Sequence, residues 1–411
     1  MRLYGSVLFI CRARRTFLEE GKGVSCIMMK KPIARFYGVA IPAILLSLIG
    51  LLMVFSASSV IALQDDRSAV AIVAKQVLLF IVGLLVAALF MRAPAKFISR
   101  ISQLALAISL AALALPLLPV IGKEVNGNTN WISIAGFTLQ PSEFAKLGML
   151  LWIAGVLARH EETLAQGRGS DLIKSAGPGL VAIVGLIIAG RDLGTAIIFV
   201  AIFSGVLFIS GISMKWFMAA LGGFSLFVLV MILTQPNRIY RIKALLDPFS
   251  EENYQHAGWQ PAHSIMALAS GGFFGSGLGA GKQKWGNLAE AHTDFIFAVI
   301  GEEMGLLGTL TVLALFFVMI SAIFRIALKS STLFDKFLVA GIGIWLVVQI
   351  AVNIGSVTGL IPVIGVTLPL ISYGGSSLIA TLIALGIVLN IALRDPQVKG
   401  EVAERLGRAL K

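Results

Sequence analysis

Glu290-Ala291-His292-Thr293-Asp294-Phe295-Ile296-Phe297-Ala298-Val299-Ile300-Gly301-Glu302-Glu303 puts an ionisable cluster directly against an apolar run. The pattern predicts that a membrane span begins at Asp294. Carboxylates at such a depth are expensive, and where they persist they mark function by default. Glu302 and Glu303 lie more than two helical turns further in, at about 1.5 Å per residue. They read as structural or coupling residues, not as a second catalytic carboxylate.

The surrounding composition agrees. The chain is 57% hydrophobic and 13% charged, with a mean hydropathy of +0.92. A soluble domain carries about 25% charged residues. The fold class is therefore all-α, a polytopic membrane protein. The only cysteines, Cys11 and Cys26, form no disulfide framework and no CxxC pair, which excludes thiol chemistry. A net charge of +12 does not indicate nucleic acid, because the excess Lys and Arg fall in short loops between spans, where they set topology. The basic N-terminus lacks a signal-peptide pattern with a cleavage site. Met28-Met29 before Lys30-Lys31-Pro32 offers an alternative start.

A span needs about 20 apolar residues. Ten candidates fit, over 37–63, 71–91, 101–120, 141–158, 175–190, 193–211, 216–234, 294–322, 337–358 and 371–393. With the N-terminus inside, cytoplasmic segments hold 23 Lys and Arg and external loops hold 7. The remainder, Lys75, Lys146 and Arg191, lie within or beside spans. This bias predicts cytoplasmic termini. The domains are then a disordered tail over 1–36, a ten-span domain over 37–393 and a C-terminal tail over 394–411. Two external loops result, Gly122–Gln140 and 235–293. A structureless connection as long as the second is improbable, so interfacial helices are expected, for example around His263–Ala269.

Several polar groups share the external side with Asp294. Glu143 and Lys146 follow Pro141, which suits a first helical turn, and their spacing puts both on one face. They form either a structural ion pair or part of a site, and a buried pair can position a neighbouring carboxylate. Arg191-Asp192 breaks two nearly continuous spans. It is a solvated turn or a half-helix end of the kind that favours ligands at membrane depth. Arg238, Arg241 and Lys243 snorkel to headgroups or clamp a phosphate or diphosphate, a task that suits Arg. Gly271–Lys282 is glycine-rich but is not a P-loop, since Ser276 and Gln283 break the pattern. Close backbone packing or a hinge is the better reading. His292 and Asp294 are too few for a zinc site. Ser372-Tyr373-Gly374-Gly375-Ser376-Ser377 opens the last span with small residues that permit tight helix packing.

Together these motifs resemble the SEDS family (shape, elongation, division and sporulation; the FtsW, RodA and SpoVE proteins). The resemblance runs from about residue 36 to the end of the last span. It rests on Met53–Ser59, Asn130-Trp131-Ile132, Gln140–Lys146, Asp192–Thr195, Ser270–Gly272 with Gly275 and Gly277, Glu290–Gly305, and Pro369–Ser377. Within the family the Glu-Ala-His-Thr-Asp motif is most like FtsW, and Asn126–Trp131 is similar to actinobacterial members. Arg191, Ala289, Trp259 and His263 depart from the common pattern without removing an ionisable candidate.

The resemblance implies a peptidoglycan glycosyltransferase that polymerises lipid II at the outer face of the bacterial cytoplasmic membrane. It implies a class B penicillin-binding protein and divisome proteins as partners, septal wall synthesis as the role, and no nucleic acid. In this scheme Asp294 is the base that activates the acceptor hydroxyl. Desolvation should raise its pKa. Arg241 and Lys243 bind the diphosphate, with Mg2+ or Mn2+ a candidate companion and no metal ligand identified. Glu143, Lys146, Asp192, His292, Thr293 and Ser372 line or support the cavity. A lipid II flippase, a RodA-type enzyme of elongation and a structural scaffold are the alternatives. The one-sided placement of the polar groups favours the enzyme over the flippase.

Overall fold

The computed structural model describes residues 32–64, 68–119, 121–125, 128–134, 137–162, 169–233 and 236–409. The expected tail up to residue 31, Asn126-Gly127 and the side chain of Arg238 lie outside the described residues. Helices α1 (Pro32–Gln64), α2 (Ala69–Arg92) and α3 (Ala95–Ala114) lead to a small sheet, followed by α4 (Pro141–Arg159), α5 (Gly169–Ala189), α6 (Leu193–Ile209) and α7 (Met214–Leu233). Three shorter helices, α8 (Pro236–Leu246), α9 (Glu251–Tyr254) and α10 (Trp259–Ser270), occupy the long connection. The bundle closes with α11 (Ile296–Lys329), α12 (Leu333–Val357) and α13 (Gly375–Ala392), and α14 (Pro396–Ala409) follows.

Each expected span has a helix. Among the described residues nine helices are long and apolar enough to cross a membrane. The tenth, α6, has 17 residues, about 25 Å at 1.5 Å per residue. Its start is fixed by the Asp192 cap, which accepts from Thr195 N at 2.9 Å and Thr195 Oγ1 at 2.6 Å. The loop expected over Gly122–Gln140 contains strands β1 (Gly122–Val125), β2 (Asn128–Ile134) and β3 (Phe137–Leu139), paired antiparallel in that order. The all-α reading thus gains a local sheet, through which the loop satisfies its own backbone. Thr129 N donates to Gly190 O at 3.0 Å and ties this sheet to the break between α5 and α6.

Helices α4, α12 and α13 form the centre and bury most of their residues. Helix α7 has no buried residue and lies at the edge. Arg35 reaches Asp395 at 3.0 Å and Arg394 reaches Asp335 at 2.7 Å, so the start of α1, the start of α12 and the end of α13 share one end of the bundle.

The glycine-rich stretch packs its backbone against α11 while most of its residues stay exposed. Helix α11 begins at Ile296, two residues after the expected start of the span, and breaks at Gly305 (φ 66°). There its orphaned groups find partners in the loop. Leu306 N donates to Gly272 O at 3.0 Å, and Ser276 N donates to Glu302 O at 2.9 Å. A Cβ on Gly275 (φ 84°) would collide with the Glu303 carbonyl. Close backbone packing is therefore what these glycines provide. The carboxylates beside the break face the same loop. Glu302 Oε1 accepts from Lys282 N at 2.7 Å, and Glu303 pairs with Lys284 at 2.6 Å while Ser56 Oγ donates to it at 2.8 Å. Lys284, counted as an external loop charge in the sequence, is 3% exposed. The loop folds inward because two buried carboxylates need donors that lipid cannot supply.

Lys284→Met should strand the Glu303 charge and destabilise the fold by about 3–5 kcal/mol. Unfolding in detergent checks this: the single variant should melt well below wild type, and adding Glu303→Gln should recover most of the loss.

Candidate active site

The turn that precedes α11 is shaped by Glu290, whose φ of 56° reverses the chain. Thr293 N and Phe295 N both donate to Glu290 O, at 3.1 and 3.2 Å, and Thr293 Oγ1 donates to Glu290 Oε2 at 2.7 Å. The next three carbonyls are each held from outside the turn. Tyr373 N donates to His292 O at 2.9 Å, Ser372 Oγ to Thr293 O at 2.6 Å, and Asn353 Nδ2 to Asp294 O at 2.8 Å. The His292 and Tyr373 rings lie 5.3 Å apart. His292, Thr293, Asp294 and Ser372 are thus brought together.

The segment leading into α13 closes the arrangement. Leu368 N donates to Ser372 Oγ at 2.8 Å, Asn353 Nδ2 also donates to Val366 O at 2.6 Å, and Gln349 Nε2 donates to Thr367 O at 3.0 Å. Gln349 Oε1 accepts from Lys146 Nζ at 2.9 Å and from Trp345 Nε1 at 2.6 Å, and Lys146 pairs with Glu143 at 2.8 Å. Lys146, 1% exposed, thereby connects to the Asp294 turn through Gln349 and the 366–367 backbone. Sequence reasoning missed Gln349, Asn353, Thr367 and Ser377. The first two stand four residues apart inside an apolar span, so they share a helix face, and polar side chains at that depth were a readable signal.

Asp294 is half-buried, and among the described residues its carboxylate takes no hydrogen bond. A Cβ on Gly365 would stand 3.5 Å from Asp294 Oδ2, so the glycine leaves the carboxylate room. Burial, then the nearby Glu290 charge, pushes the Asp294 carboxyl up to about 7. Burial, the larger effect, lowers the His292 pKa and favours the neutral ring, while the Glu290 charge opposes it. A carboxyl poised near neutrality beside a neutral ring is equipped to take a proton from a hydroxyl.

Arg241 is exposed on α8 and donates from Nη1 to Val363 O at 3.2 Å. With His256 and Gln260 it lines a cavity of about 150 Å³ against Ile361–Val363, the segment that continues to Gly365. Lys243, two positions on, does not line that cavity, and its ammonium sits 5.9 Å from the Tyr240 ring. Asp192 stands apart, its bonds going to Thr195 and Asn130 and none to the Asp294 turn. His263 bridges Tyr254 at 3.0 Å and Gln283 at 2.7 Å. Its helix α10, expected at the interface, is buried on one side against α11 and α12. Among the described residues no group of three His, Cys, Asp or Glu side chains could hold a metal ion. Mg2+ is usually held by one or two carboxylates together with substrate phosphates, and Asp294 and Glu290 are the carboxylates that lie together here.

A family model described as cell cycle protein, FTSW_RODA_SPOVE, matches residues 38–396. The chain is 39% identical over 378 residues to the probable peptidoglycan glycosyltransferase FtsW of Mycobacterium tuberculosis, covering 92% of this chain and 71% of that relative. It is 36% identical over 355 residues to stage V sporulation protein E of Bacillus subtilis, covering 86% and 96%. Among solved structures it superimposes with a TM-score of 0.70 on a chain from a peptidoglycan synthase complex described for its coordination of polymerization and crosslinking. That match has 28% identity and covers 87% of this chain and 97% of the other. The Thermus thermophilus rod shape determining protein RodA matches with a TM-score of 0.61 at 28% identity, covering 87% and 96%.

Because the Asp294 carboxyl rises from 3.8 to about 7 on folding, the neutral form favours the fold. That contribution to stability is full below pH 4 and is lost as pH rises through about 7. Infrared difference spectra of wild type against Asp294→Asn should show a carboxyl titrating near pH 7. Glu290→Gln should move that titration to lower pH.

Proposed function

The chain belongs to the FtsW/RodA/SpoVE family of cell cycle proteins, and from that membership and the Asp294 turn we propose how it works. It is a peptidoglycan glycosyltransferase, a multi-pass membrane enzyme that joins lipid-linked disaccharides into glycan strands for the septal wall. The substrate is lipid II. A class B penicillin-binding protein supplies crosslinking, and both belong among the divisome proteins.

The site faces outward. Lys and Arg crowd the segments read as cytoplasmic. The start of α1 and the end of α13 share the Asp335 end of α12, and Asn353 lies 18 residues further along that helix, about 27 Å away at 1.5 Å per residue. Asp294 therefore stands at the end opposite the termini, toward the wall compartment, and both termini are cytoplasmic.

Asp294 accepts the proton of the acceptor sugar hydroxyl as that oxygen bonds to the anomeric carbon of the donor. The bond from that carbon to the diphosphate breaks, and the undecaprenyl diphosphate leaves with the electron pair. Arg241 meets the diphosphate from the 361–363 side through the bidentate geometry of its guanidinium. Lys243 adds positive potential at the mouth. Glu143 and Lys146 act at a distance, by fixing Gln349 and through it the 366–367 backbone. His292, Thr293 and Ser372 fix the turn itself, and Asp192 holds the β2 sheet at the rim through Asn130.

The half-buried Asp294 carboxylate, without a hydrogen bond among the described residues and set on a turn whose 292–294 carbonyls are all held from outside, carries this reading. A positioned general base contributes about 10²–10⁴-fold to rate. Asp294→Asn should fold and reach the membrane, and yet form no glycan when purified in detergent with lipid II and its crosslinking partner. Arg241→Met should raise KM for lipid II more than it lowers kcat. In detergent a flippase would have nothing to do, so polymer made by wild type also separates the two activities. Polymer made by Asp294→Asn at the wild-type rate contradicts the assignment.

A further inference from the structure

We infer that Asn353 is a positioning residue for the transfer reaction, its amide holding the backbone of the base and the backbone of the opposite cavity wall at one fixed separation. The inference rests on the reading of Asp294 as the base. Asn353 is 1% exposed, so its amide is withdrawn from lipid and water alike. Its single Nδ2 donates to Asp294 O at 2.8 Å and to Val366 O at 2.6 Å, using both amide protons on carbonyls from two different segments. Neither position lies in a helix or strand, so without the amide two half-buried carbonyls lose this donor. Val366 adjoins Gly365, where a Cβ would stand 3.5 Å from Asp294 Oδ2. Moving Val366 away from Asp294 would therefore change the space in which the carboxylate and the acceptor hydroxyl must meet.

The amide is itself held in register. Asn353 stands four residues after Gln349, which fixes Thr367 O on the next residue of the same wall and is fixed in turn by Lys146 and Trp345. Thus α12 presents two amides, one turn apart, to two successive carbonyls. Only Asn353 also reaches the base. The charged and titratable groups around that base are Glu290 and His292 on its own turn and Tyr373 across from it. Asn353 adds no charge to this set, so its effect on catalysis is geometric. Ångström-scale misplacement of a reacting group costs about 10²-fold in rate.

The test uses the full-length protein with its crosslinking partner and lipid II in detergent, with rates expressed per folded molecule. Asn353→Asp keeps the shape and removes the two amide protons. It should lower kcat by about 10²-fold with KM within about twofold of wild type. Asn353→Ser, which can keep one donor and adds no charge, should fold even if the aspartate variant does not and should lose about tenfold in kcat with KM unchanged. A purely structural role would lower the folded yield and leave the kcat of the surviving protein unchanged. That result in either variant, with Asp294→Asn inactive, overturns the inference and leaves the base assignment standing. An active Asp294→Asn overturns both.

Discussion

The arrangement depends on a turn that bonds only partly to itself, through Glu290 O and Glu290 Oε2. Between Glu290 and Ile296 the chain is neither helix nor strand, and its half-buried carbonyls need donors from elsewhere. Three successive carbonyls, on His292, Thr293 and Asp294, take theirs from Tyr373, Ser372 and Asn353. The start of α13 and the far end of α12 are thereby locked to the start of α11. The Asp294 side chain, whose carboxylate takes no hydrogen bond among the described residues, inherits a fixed position from its neighbours. Preorganisation here is a consequence of backbone satisfaction.

A second irregular segment obeys the same constraint. The break at Gly305 exposes carbonyls and amides in α11, and the glycine-rich loop supplies their partners. Its glycines let the backbones touch, and the loop carries Lys284 in to neutralise Glu303. The Asp294 entrance to helix α11 and its structural break at Gly305 are therefore eleven residues apart. The carboxylates at the break are saturated with donors, and the carboxylate at the entrance is not.

The sequence showed much of this. Apolar length and the placement of Lys and Arg were enough to find ten helices, and the expense of a carboxylate at a span boundary singled out Asp294. The Glu143–Lys146 spacing anticipated a real pair. Other features were not legible. The small sheet in the 122–139 loop arises from pairing between short polar stretches whose register depends on the turn between them. The inward fold of Lys284 depends on Glu303, distant in the fold until the loop closes. Arg241 and Lys243 look equivalent in the sequence, but two positions on a helix point different ways, and only Arg241 reaches Val363. Gln349 and Asn353 were visible as polar residues in an apolar span, but their partners lie on a loop whose path no periodicity describes.

The central claim is that one carboxylate, raised into the neutral range by burial and by Glu290, removes the acceptor proton. The most direct measurement is the pH dependence of kcat for glycan formation by the wild-type protein in detergent with saturating lipid II. The account predicts an acid limb that rises tenfold per pH unit and levels off above about 7. A rate that stays flat from pH 5 to pH 9, on the order of that range, would contradict it.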